Sequence, residues 1–128
     1  MAIDPPLPQE LVVDSDITLR PMFTIDPQVI HSLIHANLDH LGKFLVWARA
    51  DYNLDAAHEF SNQKRYRWND PNHEQAFAIV FEGELAGTIG IKGFNSLTAA
   101  IEVGYWLSEH LQGKGIMTRS AAALIRLV

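Results

Sequence analysis

The chain has 128 residues, 48% hydrophobic and 20% charged, a balance typical of one soluble globular domain. Its formal net charge of −5 argues against direct nucleic-acid binding, which requires clustered Lys and Arg, and leaves room for a cationic substrate. The absence of cysteine excludes disulfides, cysteine nucleophiles and thiolate metal sites, and no apolar run approaches the length of a membrane span. We therefore expect a cytoplasmic protein that does not contact membranes.

An extended arm is predicted at the N-terminal end. Three prolines interrupt residues 1–16, so this segment is expected to stay extended, and residues 17–128 are expected to form the folded domain. The first strand of that domain is predicted over residues 17–22, ending near Pro21.

A long helix is predicted next. Asp26 suits the N-cap, Pro27 suits the first helical position, and apolar residues repeat at helical spacing until Gly42. His31 and His35 lie one turn apart on this helix. No third ligand is offered nearby, so we expect an ordinary histidine pair and no metal site.

The segment that follows is rich in large side chains without a clear period. Its members are Phe44, Leu45, Trp47 and Tyr52. Such a segment either fills the core or lines a pocket, and core packing is the favoured interpretation because aromatic residues usually bury large areas there. A second helix is predicted over residues 54–68, with Ala57 and Phe60 facing inward.

Three strands are then predicted, over residues 75–81, 85–92 and 99–107. The first two are joined by Glu82-Gly83-Glu84 and the last two by a loop over residues 93–98. Short connections of this kind impose antiparallel pairing. Glycines inside the strands, at positions 87, 90 and 104, predict bulges or the close approach of another backbone.

The third strand leads into Gln112-Gly113-Lys114-Gly115, and a helix is predicted from Ile116 onward. A strand that enters a helix through glycines leaves the backbone N–H groups of the first turn without partners, at the positive end of the helix dipole. Such a turn is a predicted phosphate-binding site. A Rossmann fingerprint does not fit, because the preceding strands are hairpin-linked, and a Walker loop does not fit, because Gly-Lys is not followed by Ser or Thr.

The loop resembles the pyrophosphate loop of the GNAT superfamily of acetyl-CoA-dependent N-acetyltransferases. Gln112-Gly113-Lys114-Gly115-Ile116-Met117 carries the resemblance, with Met117 where Gly or Ala is commoner. Glu102-Val103-Gly104-Tyr105-Trp106-Leu107 before it is similar to the branch of ribosomal-protein N-terminal serine and alanine acetyltransferases. The segments at residues 17–20 and 40–45, together with Trp47, are similar to the N-terminal half of that branch.

The resemblance implies an α+β fold, α/β by some schemes, in which helices flank a mixed, mainly antiparallel sheet. It also implies that the C-terminal strands and helix of a complete member are missing after the last helix. We therefore expect residues 17–128 to form a truncated acetyl-CoA-binding domain with an open sheet edge that favours association into homo-oligomers.

The resemblance also implies a site for acetyl-CoA as cosubstrate, without a metal. The backbone and side chains that form this acetyl-CoA site would belong to Tyr105, Trp106, Leu107, Gln112, Gly113, Lys114, Gly115, Ile116, Met117 and Thr118. The three strand residues would pair with the pantetheine arm, and the loop amides would hold the pyrophosphate. Lys114 and Arg119 would either add charge to the phosphates or remain solvated on the surface.

The activity that the resemblance implies is acetyl transfer to a primary amine, with a protein N-terminus, such as that of a ribosomal protein, as the acceptor. Glu102 is the candidate base because it shares a strand face with Gly104, and the competing interpretation is a solvent-facing glutamate. Two alternatives stay open: an inactive GNAT-fold module that binds coenzyme A or a protein partner, and an interaction domain without a ligand.

Overall fold

The computed structural model describes residues 7–95 and 100–127, and within these ranges five strands form one sheet. The strands are β1 (Leu11–Val12), β2 (Ile17–Pro21), β3 (Gln75–Phe81), β4 (Glu84–Asn95) and β5 (Ala100–Leu107). The helices are α1 (Pro27–Ala36), α2 (Leu38–Leu41), α3 (Leu54–Tyr66) and α4 (Ile116–Leu127). Each strand pairs antiparallel with the next one along the chain, in the order β1-β2-β3-β4-β5. The antiparallel arrangement predicted from the short turns is confirmed.

Helices cover both faces of the sheet. Buried apolar side chains point alternately to the two faces along β3, so each face needs a cover. Phe77 and Ile79 are fully buried on the face that α4 covers, whereas Ala76 and Ala78 lie on the opposite face, towards α1 and α2. Burying one large aliphatic or aromatic side chain contributes roughly 1.5–3 kcal/mol, so the α4 face supplies much of the apolar stabilisation. The small residues on the other face leave room above the sheet.

The first helix is shorter than predicted. The apolar pattern predicts one helix up to Gly42, but the helix breaks at Asn37, whose φ of −127° and ψ of 21° are not helical. The side chain of Asn37 is buried and bonds to groups far along the chain, as described below for the site. This long-range bonding overrides the local helical pattern.

The N-terminal segment contributes to the folded domain. Leu7 is buried in the core on the α4 face, and its N–H donates to Asn69 Oδ1 at 2.8 Å. The short β1 strand then pairs with β2. Residues 1–6 of the predicted arm and residues 96–98 of the predicted loop lie outside the described residues.

The remaining predicted boundaries differ by a few residues. The first strand ends at Pro21 and continues as a short 3₁₀ turn over Met22–Thr24. Helix α3 ends at Tyr66, and β4 extends to Asn95. No helix within the described ranges is both long and apolar enough to cross a membrane.

The aromatic segment after α2 does not simply fill the core. Leu45 and Tyr52 are half-buried and pack against the cluster beneath α1. Phe44 and Trp47, however, are 54% and 43% exposed and stand beside cavities. The core-packing expectation is therefore wrong for these two side chains, because the short α2 and the turns after it hold them above the sheet surface.

Candidate functional site

The glycine turn adopts the backbone shape that its glycines allow. Gly113 and Gly115 have φ angles of 81° and 74°, in the left-handed region that residues with a Cβ rarely occupy. Helix α4 starts directly afterwards, at Ile116. Among the described residues, the backbone N–H groups of residues 113–118 find no acceptor, and the first satisfied amide is that of Arg119, which donates to Gly115 O at 3.0 Å. The turn therefore presents unpaired donors at the positive end of a helix.

Arg119 fixes the orientation of this turn. Its guanidinium donates to Gly115 O at 3.2 Å and to Lys114 O at 3.1 Å. The same guanidinium binds Asp14 Oδ2 at 2.6 Å, which ties the turn to the N-terminal segment. In a planar trans peptide the C=O and the following N–H point in opposite directions, so the N–H groups of Gly115 and Ile116 point away from the arginine. Arg119 thus supports the turn from behind, a role that the sequence did not suggest.

The electrostatics of Asp14 agree with this arrangement. Hydrogen bonds from the Asp16 N–H and from the Arg119 guanidinium lower the pKa of the Asp14 carboxyl below its ordinary value of 3.8. Asp14 therefore stays ionised near neutral pH and keeps the guanidinium of Arg119 in place.

A groove of about 270 Å³ runs from the end of β5 to the start of α4. It is lined by Tyr105, Trp106, Leu107, Gln112, Gly113, Gly115, Ile116, Met117 and Thr118, together with Phe44. The structure therefore brings together every residue predicted to bind the cofactor except Lys114, which is exposed outside the lining. Within the described residues, β5 pairs only with β4, so its outer edge beside this groove is open.

Gly87 sets the path of β5 beside the groove. A Cβ at this position would lie 2.2 Å from Trp106 O and 2.9 Å from Leu107 Cα, so only glycine fits. The N–H of Ser108 then donates to Ala86 O at 2.8 Å. The close approach predicted for the strand glycines is confirmed here.

A second cavity, of about 370 Å³, lies between the sheet and helices α1 and α3. It is lined by Met22, Ile30, Ile34, Leu45, Trp47, Tyr52, Phe60, Glu74, Thr88, Gly104, Tyr105 and Trp106. The two cavities share Tyr105 and Trp106, so they meet at β5. Most of the lining is apolar or aromatic, and burial raises the pKa of the Tyr52 phenol.

Glu74 supplies the carboxylate of this lining and was not predicted from the sequence. A Cβ on Gly90 would lie 2.7 Å from Glu74 Cδ, and one on Gly104 would lie 3.4 Å from Glu74 Oε2. The side chain therefore lies across two glycines that face each other in the β4–β5 register. Its other oxygen, Oε1, lies 3.5 Å from Lys64 Nζ. The facing glycines were the available signal, because they leave a gap on the sheet that some side chain must occupy.

Glu102, the predicted base, precedes Gly104 on the same face of β5. The two residues are separated by about 6.6 Å along the strand. Its side chain is 73% exposed, and its carboxylate lies 3.8 Å from Nζ of Lys92, its cross-strand partner. The residue is therefore near the second cavity but outside its lining.

Two polar side chains of the α1–α2 region hold the end of β5 and the glycine turn in place. Asn37 Oδ1 accepts from the Glu109 N–H at 3.0 Å and from the Ser108 hydroxyl at 3.2 Å, while its Nδ2 donates to Leu33 O at 2.9 Å. Gln112 Nε2 lies 2.9 Å from His40 Nε2 and donates to it when that nitrogen is unprotonated. Neither contact was predicted from the sequence.

The predicted histidine pair is found on α1. The rings of His31 and His35 are 4.4 Å apart and half-buried, and a ring nitrogen of His35 binds the Tyr52 carbonyl. Over the described ranges no group of three or more His, Cys, Asp or Glu side chains is arranged to hold a metal ion.

The antiparallel sheet with helices on both faces and the glycine turn before α4 agree with the fold that the resemblance implies. The sequence profile described as "Acetyltransferase (GNAT) domain" matches residues 16–128. The chain belongs to this family, which confirms the resemblance and the α+β fold.

Two curated relatives belong to the expected branch. YdaF of Bacillus subtilis (strain 168), provisionally named a ribosomal N-acetyltransferase, is 30% identical over 114 residues, covering 88% of this chain and 62% of its own length. The ribosomal-protein-serine acetyltransferase of Escherichia coli (strain K12) is 31% identical over 100 residues, covering 75% of this chain and 53% of its own length. The chain thus spans less than two thirds of either relative.

Solved structures share the fold. The microcin C7 self-immunity acetyltransferase MccE, in complex with acetyl-CoA and AMP, superposes with a TM-score of 0.82 and 25% identity, over 94% of this chain and 66% of MccE. RimL, a ribosomal L7/L12 alpha-N-protein acetyltransferase in complex with coenzyme A, superposes with a TM-score of 0.77 and 24% identity, over 91% of this chain and 66% of RimL. At that identity RimL supports the fold alone.

Proposed function

We propose that this chain carries the acetyl-CoA site and part of the acceptor site of an N-acetyltransferase that acts on a primary amine. The observation that carries this proposal is the meeting of two different cavities at Tyr105 and Trp106 of β5. One cavity ends in unpaired backbone donors, which suit a pyrophosphate, and the other is apolar with a single carboxylate, which suits an amine. A thioester placed between them would reach both.

The residues that line the groove fit coenzyme A. The amides of residues 113–118 would bind the pyrophosphate, and the open edge of β5 at Tyr105, Trp106 and Leu107 would pair with the amides of the pantetheine arm. Backbone recognition makes few demands on side chains, which explains why Met117 is acceptable in the loop. The MccE complex with acetyl-CoA supports this choice of cosubstrate.

The reaction needs a neutral amine, because an ammonium has no lone pair. One proton leaves the ammonium, its nitrogen forms a bond to the thioester carbon, the C–S bond breaks, and the nitrogen's second proton passes to the departing sulfur. Glu102 is the proposed acceptor of the first proton, directly or through water, which it returns to solvent afterwards. Its position on the strand face of Gly104 supports this role, and its exposure lets water connect it to the site.

The proposed acceptor is a protein N-terminal amine, with a ribosomal protein as the favoured source. The names of the two curated relatives, which are 30% and 31% identical to this chain, support this choice of acceptor.

A direct assay tests the activity. The full chain is incubated with acetyl-CoA and a panel of peptides with free N-termini, and N-acetyl product is measured by mass spectrometry. Glu102→Gln should lower the rate by about 10²–10⁴-fold if Glu102 is the base, with little change in coenzyme A affinity. Glu84→Gln is the matched control, since Glu84 is also an exposed strand glutamate. It lies at the start of β4, away from Gly90, the cross-strand partner of Gly104.

The outcomes separate the alternatives. Product from the parent chain and an unchanged rate in the Glu102→Gln variant would remove Glu102 from the chemistry. Coenzyme A binding without product from any peptide would reject the enzyme proposal for this chain and favour the binding module.

A further inference from the structure

The second cavity contains a carboxylate that no motif identifies, and its surroundings restrict what it can bind. Glu74 stands at the start of the β3 region and turns over the sheet into a lining that is otherwise apolar, aromatic or hydroxylic. Lys64 Nζ pairs with this carboxylate at 3.5 Å and the Glu74 side chain is 34% exposed, so a cationic or hydrogen-bonding ligand would add a second partner to an existing ion pair. The cavity therefore favours a ligand that brings one positive charge on a small apolar body.

The two oxygens of Glu74 have different surroundings. Oε1 faces Lys64 Nζ at 3.5 Å, whereas Oε2 lies over the two facing glycines, 3.0 Å from a Cβ added to Gly90 and 3.4 Å from one added to Gly104. Among the described residues no side chain or backbone group donates to Oε2. One oxygen is thus held by the protein and the other is open to the cavity.

Lys64 shows that this corner of the molecule accepts a primary ammonium. Its Nζ lies between the Glu74 carboxylate and the face of Phe60, 5.3 Å from the ring centroid. Carboxylate and aromatic face together stabilise an ammonium, the first by charge and hydrogen bonding, the second by its quadrupole. Phe60 also lines the cavity, together with Trp47 and Tyr52, whose rings are 5.5 Å apart.

We propose that Glu74 binds the ammonium group of the acceptor through Oε2, in the cavity above Gly104, and so sets the acceptor amine beside β5. The cavity of about 370 Å³, with its mostly apolar lining, has room for the amine and a short side chain. This inference rests on the proposed function for its identification of the ligand as the acceptor. Glu74 here binds and positions the amine, while Glu102 remains the proposed base.

The glycines of β4 and β5 are part of the same arrangement. Gly90 must lack a Cβ for Glu74 to cross β4, since the added atom would lie 2.7 Å from Glu74 Cδ. A Cβ added to Gly104 would make ordinary van der Waals contact with Oε2, at 3.4 Å, so this glycine gives extra room beside the carboxylate. The sheet therefore supplies a floor of two facing glycines on which one carboxylate and one small amine fit together.

Binding rather than turnover tests this inference. Seryl-alanine amide, which carries a free N-terminal ammonium near neutral pH, is titrated into the full chain and followed by amide NMR shifts. The titration is run with and without saturating coenzyme A, and N-acetyl-seryl-alanine amide serves as the uncharged probe. We expect the free amine to shift residues that line the second cavity, and the acetylated probe to bind at least about tenfold more weakly.

Glu74→Gln keeps the shape of the side chain and removes its charge, so it should weaken amine binding by about tenfold or more while leaving coenzyme A affinity unchanged. Glu59→Gln on the exposed side of α3 is the control for loss of one negative charge and should leave both affinities unchanged. Equal amine affinity in the Glu74→Gln variant and the parent, equal binding of the two probes, or no binding of the free amine would each overturn the proposal. Failure of coenzyme A to bind would instead reject the proposed function, because the titration without it still reports on Glu74.

Discussion

At the scale of single residues, the turn before α4 depends on a side chain outside the loop motif. Arg119 holds the carbonyls of Lys114 and Gly115 and is itself held by Asp14, so the unpaired N–H groups are fixed before a ligand arrives. Donors fixed in advance bind more tightly than donors that must be ordered on binding. Arg119 is therefore a positioning residue for the proposed pyrophosphate site.

Arg119→Met tests this role. The substitution keeps much of the aliphatic stem and removes the guanidinium, so the turn should lose its support and coenzyme A affinity should fall by about tenfold, measured by calorimetry. Arg126→Met is the matched control, because Arg126 also donates from α4 to a carbonyl one turn back, at 3.2 Å from Ala122 O, but lies far from the glycine turn. Equal losses of affinity in the two variants would show that Arg119 has no specific role in the turn.

At the scale of elements, local signals predicted most of the architecture. Asp26 accepts from the Gln28 N–H at 2.9 Å as an N-cap, and the Glu82-Gly83 turn has positive φ at both residues, so these boundaries follow from short-range chemistry. The glycine turn was predicted for the same reason, since its shape depends on residues adjacent in sequence.

Contacts between distant parts of the chain were not predictable from local patterns. Asn37 ends α1 because Ser108 and Glu109 bond to its side chain from more than 70 residues away. Glu74 enters the second cavity because Gly90 and Gly104 become neighbours only when β4 and β5 pair. Periodicity and spacing carry no information about such pairings, so the residues of the groove beside β5 were predicted and Glu74 in the second cavity was not.

The bonds of Asn37 lead to a stability prediction. Asn37→Ala removes the partner of the Leu33 carbonyl and of the Glu109 N–H, and it leaves the Ser108 hydroxyl with His110 Nδ1 as its remaining partner, in a partly buried region. The free energy of unfolding should fall by about 1–3 kcal/mol, measured by urea denaturation. Asn62→Ala, at an exposed position of α3, should cost much less, and equal losses would contradict the role assigned to Asn37.

At the scale of the whole molecule, two cavities lie beside one sheet. The first lies between β5 and α4, the second between the sheet and helices α1 and α3, and β5 borders both. The outer edge of β5, open within the described residues, is where pantetheine is proposed to bind. Association of this edge with a second copy stays a prediction from the sequence.

The central claim is that residues 113–118 bind the pyrophosphate of coenzyme A while residues 105–107 hold its pantetheine arm. The most direct measurement is an amide NMR titration of the full chain with coenzyme A. We expect the largest shifts in these two segments, and their loss in Gly115→Glu, whose side chain adds bulk and negative charge at the phosphate position. Gly83→Glu is the matched control, since Gly83 also has a positive φ, of 84°, but lies in the β3–β4 turn. No binding by the parent, shifts elsewhere, or unchanged binding in Gly115→Glu would contradict the claim.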